Sequence, residues 1–128
     1  MANNSEILTF NINDNPVSQL NHPGDSTSIA TSDKVKGDGY YNRADGFHTV
    51  QYNITDFIGT IVTQATLAIN PIEEDWFNVG STNHYGVISD ATSMTGSKIY
   101  NFTGNYVWIR INITDWTAGT IRSIILNH

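Results

Sequence analysis

Cysteine is absent from this chain of 128 residues, and cationic residues and long apolar runs are scarce. Without cysteine there is no disulfide, no thiolate metal ligand and no cysteine nucleophile. Six Lys and Arg residues stand against twelve Asp and Glu residues, and the net charge of −6 at pH 7 argues against a nucleic-acid-binding surface. No apolar run is long enough to span a membrane, and the first residues lack the basic and apolar parts of a signal peptide. We therefore expect neither nucleic acid nor membrane as a partner, and synthesis in a cytoplasm.

The remaining composition favours β-structure. The apolar fraction is 39%, with three Trp, six Tyr and five Phe residues, which is enough to bury a core, while charged residues make up only 14%. Asn, Thr, Ser, Asp and Gly supply much of the polar surface, and these residues are poor helix formers. At this length we expect one domain over residues 1–128.

One segment of the chain occurs twice. Asn53-Ile54-Thr55-Asp56 recurs as Asn112-Ile113-Thr114-Asp115, an aromatic residue follows each copy, and Gly59-Thr60-Ile61 recurs as Gly119-Thr120-Ile121. Apolar and polar residues alternate on both sides of each glycine, which is typical of antiparallel strands joined by a short turn. We predict an all-β, two-sheet antiparallel β-sandwich of jelly-roll or galactose-binding type, with an internal repeat of two hairpins that turn at the glycines.

Two acidic segments are candidate sites, the first for a carbohydrate or Ca²⁺ and the second for Ca²⁺. Glu73-Glu74-Asp75 precedes two aromatic residues, and Asp33, Asp38 and Asp45 are interleaved with glycines. Neither segment has the spacing of the twelve-residue calcium loop. A solvated loop and ordinary Asp-Gly turns explain the two segments more simply.

Nothing in the sequence indicates catalysis. The chain has no Gly-x-Ser-x-Gly elbow around a serine nucleophile. No two of its histidines stand at the short spacing of zinc ligands; they are His22, His48, His84 and His128. We predict a protein that is not an enzyme and that uses no metal or other cofactor; a hydrolase is a third, weaker alternative.

Six residues are predicted to contact another chain. Trp108 and Arg110 fall on the outward side of the second repeat, and aromatic residues and Arg are enriched at the cores of protein interfaces. Coverage of this face by loops of the same chain is an equally good explanation. The predicted contact residues are Tyr40, Tyr41, Trp76, Phe77, Trp108 and Arg110.

Much of the sequence resembles small structural proteins of tailed phages, closest to those of T4-like phages that infect marine cyanobacteria. The likeness rests on Lys36-Gly37-Asp38-Gly39-Tyr40-Tyr41, Asp45-Gly46-Phe47-His48-Thr49-Val50, Phe57-Ile58-Gly59-Thr60-Ile61, Asp75-Trp76-Phe77 and the closing segment 102–126. The resemblance implies a virion structural protein that acts through protein contacts: a capsid decoration protein, or a neck, tail or baseplate accessory. It further implies location in the virion and other virion proteins as partners. We also expect a homo-oligomer.

The alternative function is that of a carbohydrate-binding module that recognises a glycan of the host surface. Jelly-roll sandwiches often bind sugars, although an inference from fold alone is only an association. The best local candidate is Trp76 with Glu74, Asp75 and Asn78, which places an aromatic ring beside polar side chains. The two functions predict different behaviour, namely oligomerisation in the first case and a change of Trp fluorescence with a glycan in the second.

Overall fold

The computed structural model describes residues 5–12, 15–26, 28–40, 46–79 and 87–127, with the backbone alone for residues 5, 12 and 87–93. Tyr41, Asp45, His84 and His128, considered above, lie outside these residues. Within the described ranges the chain forms ten β-strands and one short 3-10 turn, and no helix there is long and apolar enough to cross a bilayer. The antiparallel β-sandwich predicted from the alternating sequence is confirmed.

The strands differ greatly in length. They are β1 (Ser5–Ile7), β2 (Phe10–Ile12), β3 (Asn15–Val17), β4 (Leu20–Asn21), β5 (Ala30–Thr31), β6 (Val35–Lys36), β7 (Phe47–Thr66), β8 (Phe77–Asn78), β9 (Val87–Thr103) and β10 (Trp108–Asn127), with a short 3-10 turn at Glu73–Asp75.

Two long strands form the frame of the molecule. β7 and β10 pair antiparallel along their whole length, from Thr49 opposite Asn127 to Thr66 opposite Trp108. β9 and β8 pair with the free side of β7, and β1, β4, β5 and β6 pair in turn with the free side of β10. β2 and β3 form a separate two-stranded sheet.

The predicted hairpin turns are wrong, because both repeated segments lie inside continuous strands. β7 runs through Gly59 and β10 runs through Gly119. Each strand bends instead at the aspartate of the repeat, where Asp56 has a φ of 51° and Asp115 a φ of 52°, and the register between β7 and β10 shifts there. An irregularity of this kind leaves a residue out of the ladder and bends the strand. The repeat therefore produces two matching bends rather than two hairpins.

The glycines of the repeat allow the two bends to approach each other. A Cβ atom on Gly119 would lie 2.4 Å from the Cα of Phe57, and one on Gly59 would lie 3.0 Å from the Cα of Trp116. Each glycine thus faces the aromatic residue that follows the aspartate of the other copy. The turn-like composition of the repeat reflects this close approach of backbones.

The bends fold the two halves of each long strand over one hydrophobic core. Val50 and Tyr52 lie before the bend of β7, Ile61 and Ala65 lie after it, and all four are buried in the same cluster. The hydroxyl groups of Tyr52 and Thr63 form a buried hydrogen bond of 2.5 Å across this core. Burial raises the pKa of Tyr52, so its hydroxyl stays protonated and bonded.

The end of β7 places the loop that builds the candidate site. Alternation predicts that the strand continues to Ile69, with Leu67 and Ile69 on the same side as Ala65. The strand instead ends at Thr66, and the side chains of Leu67 and Ile69 are 64% and 72% exposed. The backbone N–H of Val107 donates to the carbonyl of Thr66 at 2.9 Å. The chain then leaves the sheet before Pro71 and crosses the outer side of β10.

Candidate functional site

The outer face of the second half of the sandwich carries a row of polar side chains. Trp108 and Arg110 point outward on β10, with Trp108 opposite Lys36 of β6 and Arg110 opposite Gln64 of β7. Gln64 is in turn opposite Asn78 of β8. Because residues opposite each other in a sheet share a face, β6, β10, β7 and β8 place all of these side chains on one surface.

Arg110 is fixed in this row by contacts on all sides. Its Nε donates to Gln64 Oε1 at 2.9 Å, and Gln64 Nε2 donates to Asn78 Oδ1 at 3.1 Å. The two terminal nitrogens of Arg110 donate to the carboxylate of Glu73 at 2.6 and 3.2 Å. The ring of Trp76 covers the guanidinium, with Cζ 4.3 Å from the ring centroid. These contacts leave Arg110 only 8% exposed and set the plane of its guanidinium.

Glu73 is the exposed member of the ion pair, with 77% of its side chain accessible. Hydrogen bonds from Arg110, and the positive charge of that side chain, hold the pKa of the Glu73 carboxyl below its usual range. The contribution of the pair to stability is therefore present above the ordinary Glu pKa of about 4.3 and is lost as pH falls through the lowered value. Because solvent screens an exposed carboxylate, this contribution is small.

A cleft of about 250 Å³ opens above this arrangement, between the segment that follows β5 and the loop that contains the 3-10 turn. We call it the Arg110 cleft; it is lined by Ser32, Asp33, Lys34, Pro71, Ile72, Glu73, Trp76 and Arg110. Its walls are held by hydrogen bonds, since the backbone N–H of Ile111 donates to Ser32 Oγ at 2.8 Å and that of Ile72 donates to Asp75 Oδ2 at 2.9 Å. The cleft is mostly polar, with donors, acceptors and one aromatic ring.

Two more rings extend the surface next to the cleft. Tyr40 packs against Trp108 with ring centroids 5.1 Å apart, and Trp108 Nε1 donates to the carbonyl of Ile69 at 2.9 Å. Lys34 Nζ lies 4.9 Å from the centroid of Trp108, and Lys36 Nζ lies 4.6 Å from that of Tyr40. Each cation is thereby held above an aromatic face.

The structure brings together four of the six residues predicted as partner contacts. Trp76 and Arg110 line the cleft, and Tyr40 and Trp108 lie beside it, next to Lys34. Tyr41 lies outside the described residues. Phe77 is not part of this surface: it is opposite Ala65 on the inward side of the sheet and packs on Tyr106 at 5.7 Å.

The residues of the sugar site suggested by the sequence have different roles in the structure. Asn78 belongs to the polar row, but Asp75 bonds the backbone of Ile72 and so stabilises the 3-10 turn. Sequence reasoning missed Gln64, which binds Arg110, and it considered Glu73 only as part of an acidic loop and not as a partner of Arg110. Alternation alone puts Gln64 on the polar side of β7, yet only the pairing of β7 with β10 places it beside Arg110.

The candidate metal ligands do not come together. Among the described residues no group of three His, Cys, Asp or Glu side chains is arranged to hold a metal ion. His48 is buried, stacks on Phe102 with centroids 4.8 Å apart, and lies 2.9 Å through Nδ1 from the carbonyl of Gly46. His22 packs edge-on against Trp116. Both of these histidines are therefore packing residues.

Two other depressions have simpler linings. An apolar groove of about 330 Å³ has Phe10, Leu20 and Trp116 among its lining residues and no charged side chain. A second depression of about 350 Å³ includes Phe47 and Tyr100, together with other aromatic residues, and also lacks a charged group. The Arg110 cleft is distinguished from both by a buried, oriented charge.

No protein-family model and no curated protein matches the chain. Among solved structures, it is similar to CBM29_1, a family 29 carbohydrate-binding module from Piromyces equi, with 16% identity over 98% of this chain and 81% of that one and a TM-score of 0.43. It is similar to the C-terminal CBM6 of LamC, a marine laminarinase from Zobellia galactanivorans, with 10% identity over 98% of this chain and 100% of that one and a TM-score of 0.43. A third similar structure is CBM6cm-2 from Cellvibrio mixtus lichenase 5A in complex with cellotriose, with 10% identity over 98% and 87% of the chains and a TM-score of 0.39. At such identities and TM-scores these likenesses assign neither a family nor a function.

Proposed function

We propose that this chain is a non-catalytic carbohydrate-binding protein and that its glycan binds in the Arg110 cleft. The observation that carries the proposal is Arg110 itself, which is 8% exposed, lines the cleft and is stacked on Trp76. A guanidinium has five N–H donors, and three of those on Arg110 bond Gln64 and Glu73. Two donors have no partner among the described residues and remain available to a ligand.

The chemistry of the cleft suits a sugar. A pyranose presents hydroxyl groups that both donate and accept, together with C–H faces that pack on aromatic rings. The cleft offers N–H donors from Arg110, acceptors from the carboxylates of Asp33 and Glu73, and the ring of Trp76. Because the guanidinium is already oriented by its neighbours, less conformational entropy of the site is lost when a ligand binds. The proposal rests on these residues and not on the likeness to known binding modules.

Calorimetry and Trp fluorescence with a panel of neutral and acidic oligosaccharides test the proposal. We expect at least one glycan to bind, and Trp76→Ala to weaken its affinity tenfold or more, which corresponds to about 1.4 kcal/mol. Phe47→Ala is the matched control, since Phe47 is 67% exposed and does not line the cleft. Thermal melts of each variant confirm that it is folded. The proposal fails if no glycan binds, or if Trp76→Ala binds as tightly as the unmodified chain.

A second candidate function is contact with other protein chains, as a homo-oligomer or as a virion component. The observation in its favour is a set of exposed apolar side chains in the loop beside the cleft: Leu67, Ile69 and Ile72 are 64%, 72% and 64% exposed. Contiguous exposed apolar patches, unlike single exposed side chains, mark sites of protein contact. The place of the protein in a virion, and its partners there, stay predictions from the resemblance.

Light scattering of the purified chain tests this second function. We expect a defined oligomer that dissociates when Leu67→Ser and Ile69→Ser are combined, because the substitutions remove apolar area from the contact. Ile99→Ser is the control, since Ile99 is equally exposed, at 67%, and lies on β9. A monomer at all concentrations, together with glycan binding, would favour the carbohydrate-binding protein.

A further inference from the structure

Half of the cationic residues of this acidic chain are placed on the face of the Arg110 cleft. Lys34, Lys36 and Arg110 are three of the six Lys and Arg residues in a chain of net charge −6. Each lies over a different aromatic ring. The distance from the cation to the ring centroid is 4.9 Å for Lys34 over Trp108, 4.6 Å for Lys36 over Tyr40 and 4.3 Å for Arg110 over Trp76. Aromatic support of this kind holds a cation in place without neutralising it. This face therefore carries three oriented cations beside the carboxylates of Asp33 and Glu73, which also line the cleft.

Arg110 already holds a carboxylate in the geometry that an acidic ligand would use. Both terminal nitrogens bind the two oxygens of Glu73, which is the bidentate arrangement that a guanidinium favours. The two members of the pair differ in accessibility, because the side chain of Arg110 is 10% exposed and that of Glu73 is 77% exposed. The buried guanidinium of Arg110 is thus fixed at the bottom of the cleft, and the carboxylate of Glu73 faces solvent.

An exposed carboxylate is a replaceable partner. Glu73 belongs to a three-residue 3-10 turn, and its ion pair with Arg110 is weakened by solvent screening. A ligand carboxylate that displaces Glu73 keeps the bidentate contact with Arg110. It also gains the attraction of Lys34, which lines the same cleft, and it releases Glu73 to water.

On this basis we propose that the glycan of the Arg110 cleft is acidic, a polysaccharide of uronic acids whose carboxylate replaces Glu73 on Arg110. This inference rests on the proposed carbohydrate-binding function and names the class of sugar. Glu73 is then a specificity-determining residue: it occupies the anion position in the free protein, so that a neutral sugar gains nothing by displacing it.

The test compares oligogalacturonate with the same oligosaccharide after its carboxylates are reduced to alcohols. We expect the acidic form to bind at least tenfold more tightly by calorimetry at low salt, and its affinity to fall as NaCl is raised, since screening weakens the contact. Glu73→Gln should raise the affinity for the acidic form several-fold, because the neutral amide competes less well for Arg110. Lys34→Gln with Lys36→Gln should lower it about tenfold, whereas Arg122→Gln, on the exposed surface of β10, serves as the cation control.

The outcomes distinguish a failure of the acidic-ligand inference from a failure of the proposed carbohydrate-binding function. Equal or tighter binding of the reduced form, or weaker acidic binding by Glu73→Gln, would overturn the acidic ligand while leaving a carbohydrate-binding protein. Preference for a sulfated glycan over the uronate would overturn the carboxylate as the recognised group. Absence of binding to any glycan would overturn both proposals.

Discussion

Gly119 lies against the backbone of β7 at the bend of that strand. Its φ is +100°, and a Cβ atom there would lie 2.3 Å from the carbonyl oxygen of Asp56 and 2.4 Å from the Cα of Phe57. Both contacts are with backbone atoms, which cannot rotate away as the end of a side chain can. Glycine, which has no Cβ atom, thus permits the two long strands to approach each other closely at their bends.

Gly119→Ala should lower the free energy of unfolding by about 3 kcal/mol, since it adds both a backbone clash and an unfavourable φ. Urea denaturation followed by Trp fluorescence measures the change. Gly24→Ala is the matched control, because Gly24 has a φ of +80° with no heavy atom within 4 Å of the added methyl group. The control should lose about 1 kcal/mol from backbone strain alone. Equal losses in the two variants would mean that the strands do not approach as closely as described.

At the scale of elements, the fold depends on two bent strands whose halves are tied together across the core. The hydrogen bond between Tyr52 and Thr63 joins the part of β7 before its bend to the part after it. Tyr52 is fully buried and Thr63 is also inaccessible, so neither hydroxyl can replace its partner with bulk water. Each hydroxyl therefore depends on the other for its hydrogen bond.

Tyr52→Phe should destabilise the protein by about 1–3 kcal/mol, because it leaves the buried hydroxyl of Thr63 without its partner. Thr63→Val should cost a similar amount for the same reason. In the double variant both polar groups are gone, and we expect a loss clearly smaller than the sum of the single losses. Urea denaturation of the four proteins measures this coupling. Strictly additive losses would show that the two hydroxyls do not depend on each other.

At the scale of the whole molecule, the topology joins parts of the chain that are distant in sequence. The start of β7 pairs with the end of β10, as Thr49 does with Asn127, and β1 completes the sheet on the other side of β10. Local contacts contribute little to such a sheet. The chain therefore loses the entropy of loop closure before strand pairing stabilises the fold.

We expect refolding in milliseconds to seconds, the range typical of β-sandwiches of this kind. Stopped-flow dilution from urea with Trp fluorescence measures the rate, since Trp116 is 2% exposed in the folded protein. The rate should not depend on protein concentration if one chain folds by itself. Refolding in microseconds would contradict the dominance of distant strand pairing.

Local alternation predicts strand structure and its buried sides in both repeats, but it does not predict that each repeat lies inside one continuous strand. Alternation places Val50, Tyr52 and Ile54 on one face of their strand, and all three are buried, as are Ile109 and Ile111. Residue type also predicts that Trp76 and Arg110 contact a partner. Their partners were not, because Gln64 and Glu73 meet Arg110 only through strand register and through the path of the loop after Thr66.

The sequence by itself determined an all-β chain with a repeated segment, since side-chain polarity at every second position requires strands with one buried face. Tertiary structure decided that Gly59 and Gly119 allow close approach rather than form turns, because both roles demand the same small residue. It also decided that Glu73, rather than Glu74 or Asp75, meets the guanidinium of Arg110. Contacts between distant segments depend on how bent strands are layered, and no local pattern of residues contains that information.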